Sequence, residues 1–377
     1  MKIFKRIMLG LLGIILLLVI VAIIFFYTAP QLGASPSGER LEKMKEAPNY
    51  EYPIFINTIE TKMEMPKGTM GKVLRHYFFE DKSKKNPNHP IKVQEFNKEA
   101  FEAIPEDSIA FTWFGHSTIL MKIDGVTILA DPVLVGKRTS MFTFMGPRRF
   151  RYTNHIGLEE LPKVDAMILS HDHYDHLDYP TIKALKDKVD QFFLPLGTGA
   201  HFEHWGVAPE KISELNWWDE VEFKSLRLAF TPTRHFSGRG LRDRFHTLWG
   251  SWVIMGDTKR LYFSGDSGYF PGFKEIGEKY GPFDLTFMEC GAYNEGWSEI
   301  HMFPEETAQA HLDVKGKLLM PIHWGKFDLS LHPWKESVER LAKKAADEKI
   351  TLFTPEVGQM VSLADSASLD QWWNSYQ

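Results

Sequence analysis

Six consecutive residues, His171-Asp172-His173-Tyr174-Asp175-His176, gather three imidazoles and two carboxylates. Imidazole nitrogen and carboxylate oxygen suit zinc, manganese or iron. In an extended or looped backbone alternate side chains point the same way, so His171 and His173 can face one centre and the short segment could serve two ions. A polar surface turn gains nothing from crowding these groups together without a cation to coordinate.

Such ligands need a rigid support. The preceding run Val164-Asp165-Ala166-Met167-Ile168-Leu169-Ser170 reads as a buried strand, which places the cluster where a strand gives way to a loop, a common location for active sites. Isolated ligand-type residues follow other strand-like runs: His235 after Phe230-Thr231-Pro232, Asp266 after Leu261 to Gly265, and His323 after Leu318 to Ile322. Ile109 to Phe114, Thr118 to Ile123 and Val126 to Ala130 read as strands, the last two joined by Asp124-Gly125, a pair suited to a two-residue hairpin. Further strands are expected at Leu226 to Thr231, Leu248 to Met255, Leu261 to Ser264 and Asp284 to Cys290, with Gly256-Asp257 marking a second hairpin. Helical spacing occurs over Tyr179 to Lys188, Phe273 to Tyr280, Pro304 to Val314 and Trp334 to Glu348. Strand clusters alternating with helices predict a layered α/β domain over 106–377.

The chain has 377 residues, 44% of them hydrophobic, enough for a large core, and a net charge of −5 with mixed signs, which leaves no nucleic-acid footprint. The single Cys290 excludes an internal disulfide framework and a thiolate-rich zinc site, and its apolar strand makes it a core residue. From Ile7 to Tyr27 no residue is charged, and a helix of that length spans a hydrocarbon core of roughly 30 Å. An uncleaved anchor over 1–28 is therefore expected in preference to a signal peptide. Lys2, Lys5 and Arg6 before it keep the N-terminus cytoplasmic and put the following domain on the extracytoplasmic side. Residues 29–50, with Pro30, Gly33, Pro36 and Gly38, read as a linker; 51–105 read as an extension packed on the main domain, with an exposed loop at Asp81 to Pro90.

The stretches Trp113-Phe114-Gly115-His116-Ser117-Thr118, Asp131-Pro132, Met145-Gly146-Pro147-Arg148-Arg149-Phe150, Ser170 to Asp178, Trp249-Gly250-Ser251-Trp252, Gly265-Asp266-Ser267-Gly268-Tyr269, Gly281-Pro282-Phe283-Asp284 and Ile322-His323-Trp324-Gly325 carry a resemblance. Over about residues 50 to 355 the chain resembles the metallo-β-lactamase superfamily, and within it the N-acylphosphatidylethanolamine-hydrolysing phospholipase D branch with its bacterial relatives. The resemblance implies an αββα sandwich with two metal ions at its edge, zinc first and Mn2+ or Fe2+ as alternatives. His171, His173 and His235 would hold one ion; Asp175, His176 and His323 would hold the other; Asp266 would bridge them. Asp131 would orient a ligand imidazole from behind. His301 matches a histidine near the scissile phosphate, although Ile300 stands where the family has glutamine. His116 reads as structural.

Two ions roughly 3.5–4 Å apart would activate a shared water and clamp a phosphoryl group, making Asp175, Asp266 and His301 the catalytic candidates. The expected activity is a membrane-anchored phosphodiesterase of phospholipase D type, attacking with metal-bound hydroxide and protonating the leaving group through His301. Its partners would be the bilayer and a phospholipid substrate; Phe142, Phe144, Met145 and Phe150 read equally as a lipid-facing loop or as core packing. A lactone, ester or amide hydrolase on the same site is the alternative. A membrane-anchored binding protein is a more distant one, because the full ligand set is present.

Overall fold

A computed structural model of the chain describes residues 1–63, 85–155, 157–363 and 371–376, with isolated positions between 64 and 84. The first four residues of the expected Asp81 to Pro90 loop lie outside the described residues.

The chain opens with helix α1, Lys2–Thr28, in which no residue is buried. A small hairpin of β1, Tyr50–Glu51, and β2, Ile54–Phe55, follows. The main domain then lays down β3, Ala110–Trp113, β4, Ile119–Ile123, β5, Val126–Ala130, β6, Val164–Ile168, β7, Val189–Pro195, and β8, Ile212–Leu215. Its second half contributes β9, Glu220–Phe223, β10, Leu226–Thr231, β11, Ser251–Met255, β12, Arg260–Phe263, β13, Phe283–Glu289, β14, Gly316–Ile322, and β15, Thr351–Leu352; β16, Met360–Ser362, returns to the first half. Two seven-stranded sheets result, ordered β16-β3-β4-β5-β6-β7-β8 and β15-β14-β13-β12-β11-β10-β9.

Alternation along the strands sets the layers. In β4, Ile119 and Met121 enter the core shared by the two sheets, whereas Leu120 faces Ile182 and Leu185 of helix Tyr179–Leu185 on the outer side. In β12, Leu261 and Phe263 face the shared core while Tyr262 joins Phe273 and Ile276 of helix Gly272–Lys279. Each sheet is therefore buried on both faces, giving the expected αββα sandwich. Because β5, β6, β7 and β8 run parallel, as do β12, β13, β14 and β15, the carboxyl ends of each set emerge at one edge. In open parallel sheets that edge receives ligands.

The Asp124-Gly125 turn is present with both residues at positive φ, 47° and 76°, as a two-residue hairpin between Ile123 and Val126 requires. The hairpin after β11 uses a longer loop, with Met255 opposite Arg260. Strands β7, β8 and β9 went unexpected from the sequence. Residues 29–50, expected as a linker, lie against the domain: Met44 of helix Gly38–Lys45 is buried, and Arg40 pairs with Glu203 and Glu214. Of the two readings of Phe150, core packing holds: it is 7% exposed and packs edge-on against Trp334. The neighbouring Phe144 and Met145 are 74% and 51% exposed.

Candidate metal centre

The ligand loop begins at His171, three residues beyond β6, and closes on itself through Leu177 N–H donating to His173 O at 2.7 Å. His171 Nε2 and His173 Nδ1 come within 2.9 Å, and His235 Nε2, from the loop after β10, lies 3.3 Å from His173 Nδ1. The outward nitrogens of two of these rings are already committed: His171 Nδ1 to Ser170 Oγ at 2.9 Å, and His235 Nδ1 to the Ile300 carbonyl at 2.9 Å. With those nitrogens donating, the Nε2 atoms of both rings present lone pairs to the same point. Burial, reinforced by neighbouring imidazoles, pushes the pKa values of His171 and His235 well down, holding the neutral form that ligates.

A second group is formed by Asp175, His176 and His323, with His116 beside them. Asp266, after β12, stands between the groups: its Oδ2 is 3.0 Å from His323 Nε2, 3.2 Å from His176 Nε2, and 3.7 Å from the Nε2 atoms of both His171 and His235. Burial opposes charge on His176 and His323, but the surrounding carboxylates, Asp266 foremost with Asp175, together more than offset it, raising His323 to about 10. In turn His176 and His323 hold Asp266 well below the usual carboxylate range despite its burial. His176 Nε2, both ring nitrogens of His323 and Asp266 Oδ1 are buried without a hydrogen-bond partner. Of these, the Nε2 atoms of His176 and His323 converge on Asp266, and orphaned buried groups that meet in this way are what a bound cation would satisfy, so the residues fit a metal centre.

Behind the ligands, Asp131 follows β5 with φ 40° and is fully buried. It accepts from Ser170 N–H at 2.8 Å, Ser170 Oγ at 2.5 Å and His176 Nδ1–H at 2.7 Å, fixing the last ring with Nε2 inward. His116, read as structural from the sequence, stands at the centre. Its Nε2–H donates to Asp175 Oδ2 at 2.9 Å, and its ring packs 4.0 Å from that of His323. Its backbone, at φ 56°, exchanges hydrogen bonds with Trp324 O and His323 N–H, joining the edges of the two sheets. Burial and His323 lower its pKa to about 3, so it remains a neutral donor to Asp175.

His301 is also brought to the site, 5.0 Å from His235 and 5.3 Å from His323 between ring centroids. Sequence reasoning missed the group that holds it. Glu289, fully buried at the end of β13, accepts His301 Nδ1–H at 2.5 Å through one oxygen and Ser267 N–H at 2.8 Å through the other. The rule that found Asp266 and His323, a ligand-type residue at a strand end, also applies to Glu289. Burial raises its pKa against the pull of His301.

A model described as a beta-lactamase superfamily domain matches residues 127–324. The chain belongs to the beta-lactamase superfamily. An uncharacterised protein of Mycobacterium tuberculosis is 41% identical over 356 residues, 92% of each chain. N-acyl-phosphatidylethanolamine-hydrolyzing phospholipase D 1 of Caenorhabditis elegans is 34% identical over 297 residues, covering 74% of this chain and 81% of that protein. Among solved structures, Igni18, a metallo hydrolase of Ignicoccus hospitalis, superposes with a TM-score of 0.52 at 20% identity over 68% of this chain and 98% of its own, a likeness of fold. The protein is thus a metal-dependent hydrolase with the metallo-β-lactamase fold, related to the phospholipase D enzymes that act on N-acylated phosphatidylethanolamine.

Proposed function

We propose that the protein is a membrane-anchored phosphodiesterase of phospholipase D type that uses two divalent ions, zinc foremost. The observation that carries this reading is the double ligand set meeting at Asp266: His171, His173 and His235 on one side, Asp175, His176 and His323 on the other. Two bound ions would supply an activated water and charge to offset that developing on a phosphoryl group. The chain's own residues do the rest. Asp131, Ser170 and the Ile300 carbonyl fix imidazole tautomers, and His116 holds Asp175. His301, held by Glu289, is the group we assign to protonate the leaving oxygen.

The substrate class is supported by the relative from Caenorhabditis elegans and by the apolar N-terminal helix. At the end of that helix Phe25 stacks on Phe142 at 5.1 Å, beside the exposed Phe144 and Met145, a surface suited to the bilayer boundary. We assign the N-terminus to the cytoplasm, from Lys2, Lys5 and Arg6, and the catalytic domain to the other side. Protease added to intact spheroplasts should then reach the domain; a fully protected domain refutes the orientation.

Incubation of the full-length protein with N-acylated phosphatidylethanolamine in oxygen-18 water tests the chemistry. Attack at phosphorus puts the label in phosphatidic acid. Label in released fatty acid, or hydrolysis of lactones with no phosphodiester cleaved, would overturn the reading in favour of a carboxylic ester hydrolase.

A further inference from the structure

The ligand loop has a second face. While His171, His173 and Asp175 turn toward the metal centre, Asp172 and Tyr174 turn away, and the turn over 174–176 then brings His176 inward as well. Their partners come from the loop after β10, Gly238, Arg239 and Thr247, and from His201 of helix Gly199–His204, and the segment that leaves the apolar helix holds Arg239 and His201 in turn. Arg239, 1% exposed, is the junction: Nη1 donates to the carbonyls of Asp172 and of Leu177 (2.9 Å), gripping the loop at both ends. Its Nε and Nη2 donate to the carbonyl of Gln31 at 3.0 and 2.8 Å. The guanidinium lies 4.1 Å from the centre of the Tyr174 ring, whose hydroxyl donates to the Arg239 carbonyl at 2.8 Å. A parallel chain runs from Ala34 N–H to His201 Nδ1 at 3.0 Å, and from His201 Nε2–H to Asp172 Oδ2 at 3.3 Å. Trp205 Nε1–H holds the start of the segment by the Pro30 carbonyl at 2.7 Å.

Buried guanidinium donors need acceptors, and here the segment 30–34 supplies the acceptor for one whole edge of Arg239. Gly33, at φ 75°, lets the segment pass His201; a Cβ there would lie 2.0 Å from His201 Nδ1. We propose that residues 30–34 form a strap that positions the ligand loop from behind, with Arg239 as the positioning residue that transmits its hold, so that retention of the metal depends on the juxtamembrane segment. The inference rests on the two-metal reading and concerns metal retention, independently of substrate.

The test uses the full-length protein in detergent, loaded with zinc and challenged with excess EDTA, with zinc release followed by a chromogenic indicator. Gly33→Val moves the strap without touching a ligand, and Arg239→Lys removes the forked grip. Release should quicken about tenfold in both, the scale expected when a partner behind a metal ligand is lost. Because displacing the strap strains Gly33 and leaves one edge of Arg239 without an acceptor, the thermal midpoint of metal-stripped Gly33→Val should fall, so the comparison is with Leu341→Ala, a buried change in the outer helical layer away from the ligand loop that also lowers the midpoint. Release should quicken in Gly33→Val and stay near wild type in Leu341→Ala; wild-type release kinetics in Gly33→Val, or equal quickening in Leu341→Ala, which marks general loosening, would overturn the proposal. If Arg239→Lys does not fold, Gly33→Val decides. A wild-type protein that takes up no zinc would overturn the metal reading and the strap together.

Discussion

Asp131→Asn tests how the centre is held, because it changes one atom and no ligand. Asp131 receives three hydrogen bonds from donors: Ser170 N–H on Oδ1, and Ser170 Oγ–H and His176 Nδ1–H on Oδ2. A carboxylate can accept all three; an amide cannot. Ser170 N–H is always a donor, so the asparagine oxygen must stay there and its NH2 must face His176 Nδ1. That ring then turns to its other tautomer and carries its proton on Nε2, the atom 3.2 Å from Asp266 and aimed at the proposed ion. If the amide flips instead, an NH2 meets Ser170 N–H and a buried donor is left unsatisfied. Either way one ligand or one support is lost, and loss of such a support lowers metal affinity about 10- to 100-fold. That is about 1.4–2.7 kcal/mol, concentrated on the ion held by His176, with the ion of His171, His173 and His235 less affected. Chelator titration of the zinc-loaded protein, with elemental analysis at each step, should show two affinities separating in the variant. Two ions bound as tightly as in the wild type would refute the tautomer argument.

Asp266→Ala should damage the centre more than any other single ligand change, because its carboxylate lies between two imidazole groups; elemental analysis should find well under two ions per chain after chelator-free purification. His301→Ala should slow phosphodiesters with poor leaving groups far more than a nitrophenyl phosphodiester, and Glu289→Gln should do the same more mildly, since Gln cannot accept from both His301 and Ser267; equal slowing of both substrates would remove the acid role. His311, buried and bonded through Nδ1 to Thr286 Oγ1 at 2.7 Å, is lowered by burial to about 4. Its folded form stays neutral while the unfolded chain gains a proton near pH 6.5, so its contribution to stability is present above that pH and is lost as pH falls toward 4. The thermal midpoint of His311→Gln should therefore fall less than that of the wild type between pH 7 and 5, and an identical slope would refute this.

Much of the centre was legible in the sequence for a local reason. Ligand types crowded into His171 to His176, and single His and Asp residues placed just past apolar runs, signal strand ends that carry chemistry. The hairpin at Asp124-Gly125 was equally local, since only certain residues tolerate two successive positive φ values. Strands β7 to β9 were less legible, because their burial comes from neighbours distant in the chain. What the sequence could not supply was which strand ends meet. Parallel pairing of β5 with β6, and of β13 with both β12 and β14, brings Asp131, His176, Asp266, Glu289 and His323 to one edge, and that pairing is a long-range choice. It made Glu289 the partner of His301 and set His116 against Asp175, where sequence alone allowed a strand residue and a structural turn. It also turned residues 30–34 from a linker into a strap, because a buried guanidinium more than two hundred residues away requires the carbonyl of Gln31. Residue types determine which chemistry is available, through ligand affinity and local backbone preference; the tertiary fold decides which of those groups face one another and in which tautomer.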